Sequence, residues 1–248
     1  MDNKRIAVYT VITGDYDKLQ KIELVDINCD YYVVSNEDIK VYEPWKLIKP
    51  KDKNSYKMSN KDFNRYYKIN PHLIFSDYTL SIYLDGNIKI KNKLSDWAIE
   101  QSLISNFSIY SHPEREDIFS EAKVCSFIGT DFFWTIRRQI NRYILEGYDN
   151  AGLYEANILL RKHNDLAVIY LMESWWCEYF NKKNAKRDQL ALPYVLWRTG
   201  FMVNNMGISD ARYGHSFFEY ITHQKNRHDK LETKIKKIVN RTIGREVL

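Results

Sequence analysis

The chain has 248 residues, 44% of them apolar, 15% aromatic and 28% charged, enough for one large domain or two tightly fused small ones around a sizeable core. Its 19 Tyr, 11 Phe and 6 Trp exclude a disordered chain, and the lack of any apolar run near ~20 residues excludes a bilayer-spanning helix. The net charge of +5 is modest for a nucleic-acid partner, and it resides in residues 225–248, where eight Lys/Arg face three Asp/Glu and leave residues 1–224 neutral.

In chain order, residues 5–12 form a near-continuous apolar run that stops at Thr13 and Gly14, the pattern of a buried parallel strand feeding a loop. Residues 31–34 repeat it, and 45–48 read as a third strand closed by Pro50. Residues 59–70 read as a helix with Phe63, Tyr66 and Tyr67 inward, ended by Pro71. A strand over 80–84 runs directly into Asp85-Gly86-Asn87. Residues 95–103 are helical in pattern, and a strand over 107–110 ends at His112 and Pro113. A long helical stretch over 120–147, broken near Gly129, precedes a strand over 154–160 and helices over 165–180 and 187–198. Strands alternating with helices predict one α/β domain with a largely parallel sheet.

Residues 225–248 read as a basic amphipathic helix. Leu231, Ile235, Ile238 and Thr242 share a stripe, Val239 and Ile243 lie beside it, and Lys230, Lys234, Lys237 and Arg241 flank it. Such a helix suits an anionic membrane surface or an acidic partner. The ordinary alternative is a terminal helix that docks its apolar stripe on its own domain. Cys29, Cys125 and Cys177 lie far apart without a CxxC pair, and the first five residues lack a secretion signal. Both features favour a cytoplasmic protein.

Ligands of open α/β sheets settle outside the carboxyl ends of the strands, so polar residues there are the first candidates. Asp85 and Asn87, a carboxylate and an amide on either side of a glycine, can face one hard divalent cation such as Mg²⁺ or Mn²⁺; the same tripeptide is also an ordinary β-turn. Arg65 and Lys68, three apart on a helix, share a face and can hold phosphate oxygens. Thr10, Thr13 and Gly14 end the first strand. His112 and Arg115 follow another strand end and can position a sugar or diphosphate, or form a salt-bridged helix start with Glu121. Glu155 is a carboxylate in an apolar strand. Asp188, followed by Gln189, opens a helix as an N-cap or as a group that binds sugar hydroxyls. Trp175, Trp176 and Trp197 can offer an apolar sugar platform or belong to the core. There is no HExxH, GxSxG, P-loop or GxGxxG, which disfavours zinc hydrolases, serine hydrolases, NTPases and Rossmann dehydrogenases.

Taken in order, the runs Ile6 to Asp17, Asn64 to His72, Ser81 to Asn87, His112 to Arg115, Gly152 to Glu155, Leu160 to Asn164 and Arg187 to Gln189 resemble the glycosyltransferase-like family of bacterial polysaccharide loci and plant Golgi wall-matrix proteins. The resemblance spans residues 5–225 and implies a GT-A fold: one α/β domain, its mixed, mostly parallel central sheet flanked by helices, over residues 1–224, followed by the basic tail. It implies transfer of a sugar from a nucleotide-sugar donor to a glycan or lipid-linked acceptor, in building a capsule or lipopolysaccharide.

On that resemblance Asp85 and Asn87 stand where GT-A enzymes carry their metal-binding DxD. Asn87 replaces the second carboxylate, so the expected Mn²⁺ or Mg²⁺ site is weak. A histidine near the domain end would complete it, His223 first and His215 as its rival. Thr10, Thr13, Gly14, Arg65, Lys68, Asp85 and Asn87 are the expected donor-binding residues, and His112, Arg115, Gln189 and Trp175 the sugar- or acceptor-binding ones. Asp188, then Glu155, is the expected catalytic carboxylate, acting as base in an inverting reaction or steadying the anomeric centre in a retaining one. The tail would rest on the inner membrane face. The competing reading is a non-catalytic sugar-nucleotide or glycan-binding subunit of a polysaccharide assembly system.

Overall fold

The first apolar run becomes β1 (Ile6–Val11), buried at every residue. The computed structural model describes residues 6–14, 17–51, 57–209, 211, 214–222 and 231–244. β2 (Cys29–Val34) pairs in parallel with one edge of β1, and β3 (Trp45–Ile48) with β2. On the other edge β4 (Ser81–Leu84) is again parallel to β1. The sheet then continues through β7 (Tyr154–Arg161) and β6 (Phe107–Ser111), both antiparallel joins, to β8 (Asn204–Ile208), which runs parallel to β6. The order is β3-β2-β1-β4-β7-β6-β8, with four of its six pairings parallel. The expected mixed, mostly parallel sheet is therefore the one observed.

Two buried layers sandwich it. On one face α1 (Asn60–Ile69), α3 (Ile118–Phe127), α4 (Phe133–Leu145), α5 (Leu166–Phe180) and α6 (Asp188–Thr199) pack their apolar sides around Tyr9, Tyr83, Phe63 and Trp175. On the other, α2 (Ser95–Ile104) and a two-stranded ribbon of β5 (Ile88–Ile90) and β9 (Phe218–Tyr220) cover Val8, Ile82 and Leu84. Alternation along β1 and β4 sends Tyr9 and Tyr83 to the first face and Val8 and Ile82 to the second. The pattern of residues 5–12 reads as fully apolar because both faces are covered.

β5, β8 and β9 escape the sequence pattern. Each is short, and β8 is exposed along most of its length, so it carries no apolar signal. The helical stretch over 120–147 is two helices, α3 and α4, parted at Gly129, whose φ of 69° places it in the left-handed region. The tail does form a helix, α7 (Leu231–Thr242), but it does not dock by its apolar stripe: Leu231, Ile235 and Ile238 are exposed while Asn240 is buried. The ordinary reading of a terminal helix is overturned here. The domain boundary expected at residue 224 lies outside the described residues. Among the described residues none of the three cysteines forms a disulfide, and no helix is long and apolar enough to cross a membrane.

Candidate active site

β1 and β4 are adjacent and parallel, so their carboxyl ends open on one rim of the sheet. α1 lies over that rim. Its start is set by Ser59, whose hydroxyl accepts from the Asp62 N–H at 3.1 Å. With the start fixed, Arg65 and Lys68 fall on one face of the helix, towards the first residue of α6. Arg65 Nε lies 3.0 Å from Asp188 Oδ2, and Lys68 Nζ lies 2.9 Å from the same oxygen. Lys68 Nζ also lies 3.6 Å from Asp85 Oδ1. One chain of charges therefore runs Arg65–Asp188–Lys68–Asp85 across three elements far apart in sequence.

Asp188 is 2% exposed. Burial alone would raise its carboxyl, but Arg65, Lys68 and Arg187 outweigh that and hold it well below the usual carboxylate range. Burial likewise works against the Arg65 charge, and Asp188 and then Asp85 overcome it. Asp188 is thus a permanent anion between cations. It is not a side-chain N-cap, the commoner fate of an Asp at this place; α6 starts without one.

Asp85 sits at the mouth of this chain, its side chain about one-third exposed (31%). Its N–H donates to the Asn157 carbonyl at 2.8 Å, and Tyr83 donates its hydroxyl to Oδ1 at 2.7 Å. Burial, then Asp85 itself, keeps the Tyr83 proton in place by pushing its pKa far up. Asn87 is buried, and its carbonyl accepts from the Ile221 N–H at 2.8 Å, which ties the bend to the end of β9. The glycine between them answers to packing: a Cβ at Gly86 would lie 2.8 Å from Asp17 Cβ and 3.1 Å from Asp17 Oδ2. Asp17, from the loop after β1, therefore lies against the Asp-Gly-Asn bend.

A second cluster adjoins the first through Arg187. Glu121, buried in α3, accepts from Arg115 Nε at 2.7 Å and from Arg187 Nε at 2.9 Å. His112 Nδ1 accepts from the N–H groups of Glu114 and Arg115 at 3.1 and 3.2 Å. Nε2 lies 2.9 Å from Arg115 Nη2 and 3.6 Å from Glu155 Oε2. Burial, then Arg115, lowers the His112 pKa to about 4, so the ring is neutral at pH 7. Glu155 reaches this point because the register of β7 against β6 shifts beside Ile109 and Tyr110.

The expected site residues divide. Arg65, Lys68, Asp85 and Asp188 come together as described, and His112, Arg115 and Glu155 meet beside them. Gln189 is buried and spends its amide on the Tyr154 carbonyl at 3.2 Å. Thr10 is buried on the face of Val8, away from Asp188, with Oγ1 lacking a hydrogen-bond partner among the described residues. Thr13 donates to the Asn60 carbonyl at 3.1 Å, and the Gly14 N–H donates to Glu37 Oε1 at 3.1 Å. Trp175 requires correction. It is wholly buried, and its indole N–H donates to the Asp188 carbonyl at 3.0 Å, so it supports α6 from the core and cannot be a sugar platform. His223 lies outside the described residues. His215 pairs with the Tyr110 hydroxyl at 2.8 Å on the far face of the sheet. Tyr83 and Asp17 were not singled out from sequence; an aromatic two residues before Asp85 reads as core, and Asp17 reads as loop.

Among the described residues, no group of three or more His, Cys, Asp or Glu is placed to hold a metal. Arg65 and Lys68 pair with Asp188, Lys68 also with Asp85, and Arg115 and Arg187 pair with Glu121. The residues that would hold a divalent ion such as Mn²⁺ or Mg²⁺ are Asp85 and Asn87, with Asp17 beside the bend. Two recesses open elsewhere, about 460 Å³ beside Trp134 and about 290 Å³ beside His215; neither is lined by Asp85 or Asp188.

The sequence profile of the TOD1/MUCI70, glycosyltransferase-like domain matches residues 27–223, in agreement with the resemblance read from the motifs. No curated protein matches this chain. Among solved structures, the apo bifunctional glycosyltransferase WbbM superposes with a TM-score of 0.50 at 13% identity, over 83% of this chain and 39% of that one. The chain therefore spans well under half the length of that relative. The apo form of mouse xyloside xylosyltransferase 1 gives a TM-score of 0.45 at 11% identity, over 82% of this chain and 84% of that one. At such identity, the likeness to WbbM speaks for the fold alone, which is GT-A-like.

Proposed function

The chain belongs to the TOD1/MUCI70 glycosyltransferase-like family, and from that premise we propose that it moves a sugar from a nucleotide-sugar donor to a glycan or lipid-linked acceptor of a cell-surface polysaccharide. The observation that carries this reading is the chain of charges that presents Asp85 at the rim of β1 and β4. Cleavage of the anomeric C–O bond leaves negative charge on the nucleoside diphosphate, and fixed cations aimed at that charge lower the barrier. Arg65 is the partly exposed cation of the two, with its side chain 23% accessible, and suits contact with a phosphate oxygen. Lys68, 2% accessible between Asp188 and Asp85, orients Asp85 from beneath. A divalent ion at Asp85 and Asn87 would supply Lewis-acid stabilisation of the leaving diphosphate.

In this reading the order of the two candidate carboxylates, Asp188 first and Glu155 second, reverses. Asp188, held ionised by three cations, is a poor proton acceptor and serves as the anchor for Arg65 and Lys68. Glu155, beside the neutral His112, is the better candidate to take the acceptor hydroxyl's proton.

The test is a screen of sugar nucleotides that reads released nucleoside diphosphate, run with and without Mn²⁺. One donor should turn over, and Asp85→Ala should reduce that turnover by two orders of magnitude or more, on the order of the loss of a principal electrostatic group, with an unchanged circular dichroism spectrum. An Asp85→Ala protein as active as the wild type would remove the assignment. The missing second carboxylate at Asn87 favours a second reading, a sugar-nucleotide-binding subunit without turnover. Calorimetric binding of a donor, with no hydrolysis or transfer across a panel of acceptors, would select it.

A further inference from the structure

α7 faces the opposite way from an ordinary terminal helix. The side it docks is polar. Asn240, 4% exposed, donates through Nδ2 to the carbonyls of Ser126 and Asp131 and accepts from the Phe133 N–H, each at 2.8 Å. Lys236 adds ion pairs to Asp131 at 3.5 Å and to Glu232 at 2.7 Å. The approach is close: a Cβ at Gly129 would meet the Thr233 carbonyl oxygen at 2.8 Å, and one at Gly244 would meet Phe133 at 3.0 Å. Helical spacing puts Thr233, Lys237 and Asn240 on this face and Leu231, Ile235 and Ile238 on the reverse. Those three are 74%, 45% and 63% exposed. Lys234 and Arg241 are exposed along one flank, and the Arg241 guanidinium lies 4.2 Å from the ring centre of Phe127, an exposed aromatic at the end of α3.

We infer that this outward face of α7, with Phe127 beside it, docks the protein on an anionic lipid bilayer. A short apolar stripe enters the acyl boundary while flanking Lys and Arg meet lipid phosphates at headgroup level. The whole excess of positive charge lies in residues 225–248, the stretch of sequence that contains this helix. A second copy of the chain fits the face less well, because stripe-to-stripe pairing would also bring the cations of Lys234 and Arg241 together. The inference does not depend on which sugar is moved, or on whether one is.

Co-sedimentation of the full chain with phosphatidylcholine vesicles, with and without phosphatidylglycerol and at low and high salt, tests it. The wild type should bind the anionic vesicles, ignore the neutral ones and be released by salt. Ile235→Ser/Ile238→Ser and Lys234→Glu/Arg241→Glu should each weaken binding by roughly tenfold or more. Thermal unfolding should be unchanged in both, since the altered side chains are exposed. Failure of the wild type to bind anionic vesicles, or retention of binding by both double variants, overturns the inference. So does a concentration-dependent dimer, seen by sedimentation velocity, that Ile235→Ser/Ile238→Ser abolishes, which would give the face to a second copy.

Discussion

In the proposed reaction, environment assigns different work to two similar side chains, Asp188 and Glu155. A carboxylate held far below its ordinary pKa by Arg65, Lys68 and Arg187 gains nothing from offering itself as a base. Its value is as the counter-charge that lets Lys68 be buried at all. Asp188→Asn should therefore destabilise the fold by about 3–5 kcal/mol, the cost of leaving buried cations without their partner, measured as a lower urea midpoint. Glu155→Gln should leave the urea midpoint close to the wild type and remove most of the rate. An unchanged rate in Glu155→Gln would return the base assignment to another group. At this scale the sequence showed which residues were candidates, because Asp85, Arg65 and Lys68 stand at strand ends or on one helix face. It could not show that 120 residues separate Lys68 from the carboxylate that pairs with it.

Elements owe their ends to single residues, and some of those are legible. Ser59 before α1, Asp117 before α3 and Asp165 before α5 cap their helices by side-chain oxygen, the local chemistry that a sequence displays openly. Trp175 is the counter-example. Its type and helical position fit a core residue and a sugar platform equally, and only the packing of α5 on α6 decides between them. The seat of α7 is a third case, since a lone Asn in a basic amphipathic stretch carries no sign of being the anchor. Asn240→Ala removes one donor pair and one acceptor and strands the Phe133 N–H and two carbonyls. Undocking of α7 should follow, at about 2–4 kcal/mol for three lost hydrogen bonds. Amide hydrogen exchange should then accelerate in α7 and at the start of α4 while α5 and α6 keep their protection.

Across the whole molecule, buried histidines make stability depend on acid. Burial, then Arg115, depresses His112, and burial leads the depression of His163, each from 6.5 to about 4. The folded state therefore refuses protons that the unfolded chain accepts below 6.5. Their contribution is complete above that value, is lost as pH falls from 6.5 towards 4, and changes no further below it. The fall should amount to a few kcal/mol, read as a decline in Tm over that window. His163→Gln should shallow the slope, because the neutral amide can replace the Nε2–H donated to the Phe75 carbonyl at 2.7 Å. A Tm that is flat from pH 7 to 4 would show that these rings titrate normally.

The amino-acid sequence by itself determined the alternation of strands and helices, the burial of β1 on both faces and the placement of all excess charge in residues 225–248. Each of these is a matter of local spacing: period 2 or 3.6 in apolar residues, a cap before a helix, lysines in a run. The tertiary structure alone decided that Asp188 is an anchor, that Trp175 is core, that Asp17 leans on Gly86 and that α7 turns its apolar side outward. Those depend on which surfaces meet after folding, and buried charge, close approach and exposure are properties of the meeting, not of either partner's sequence.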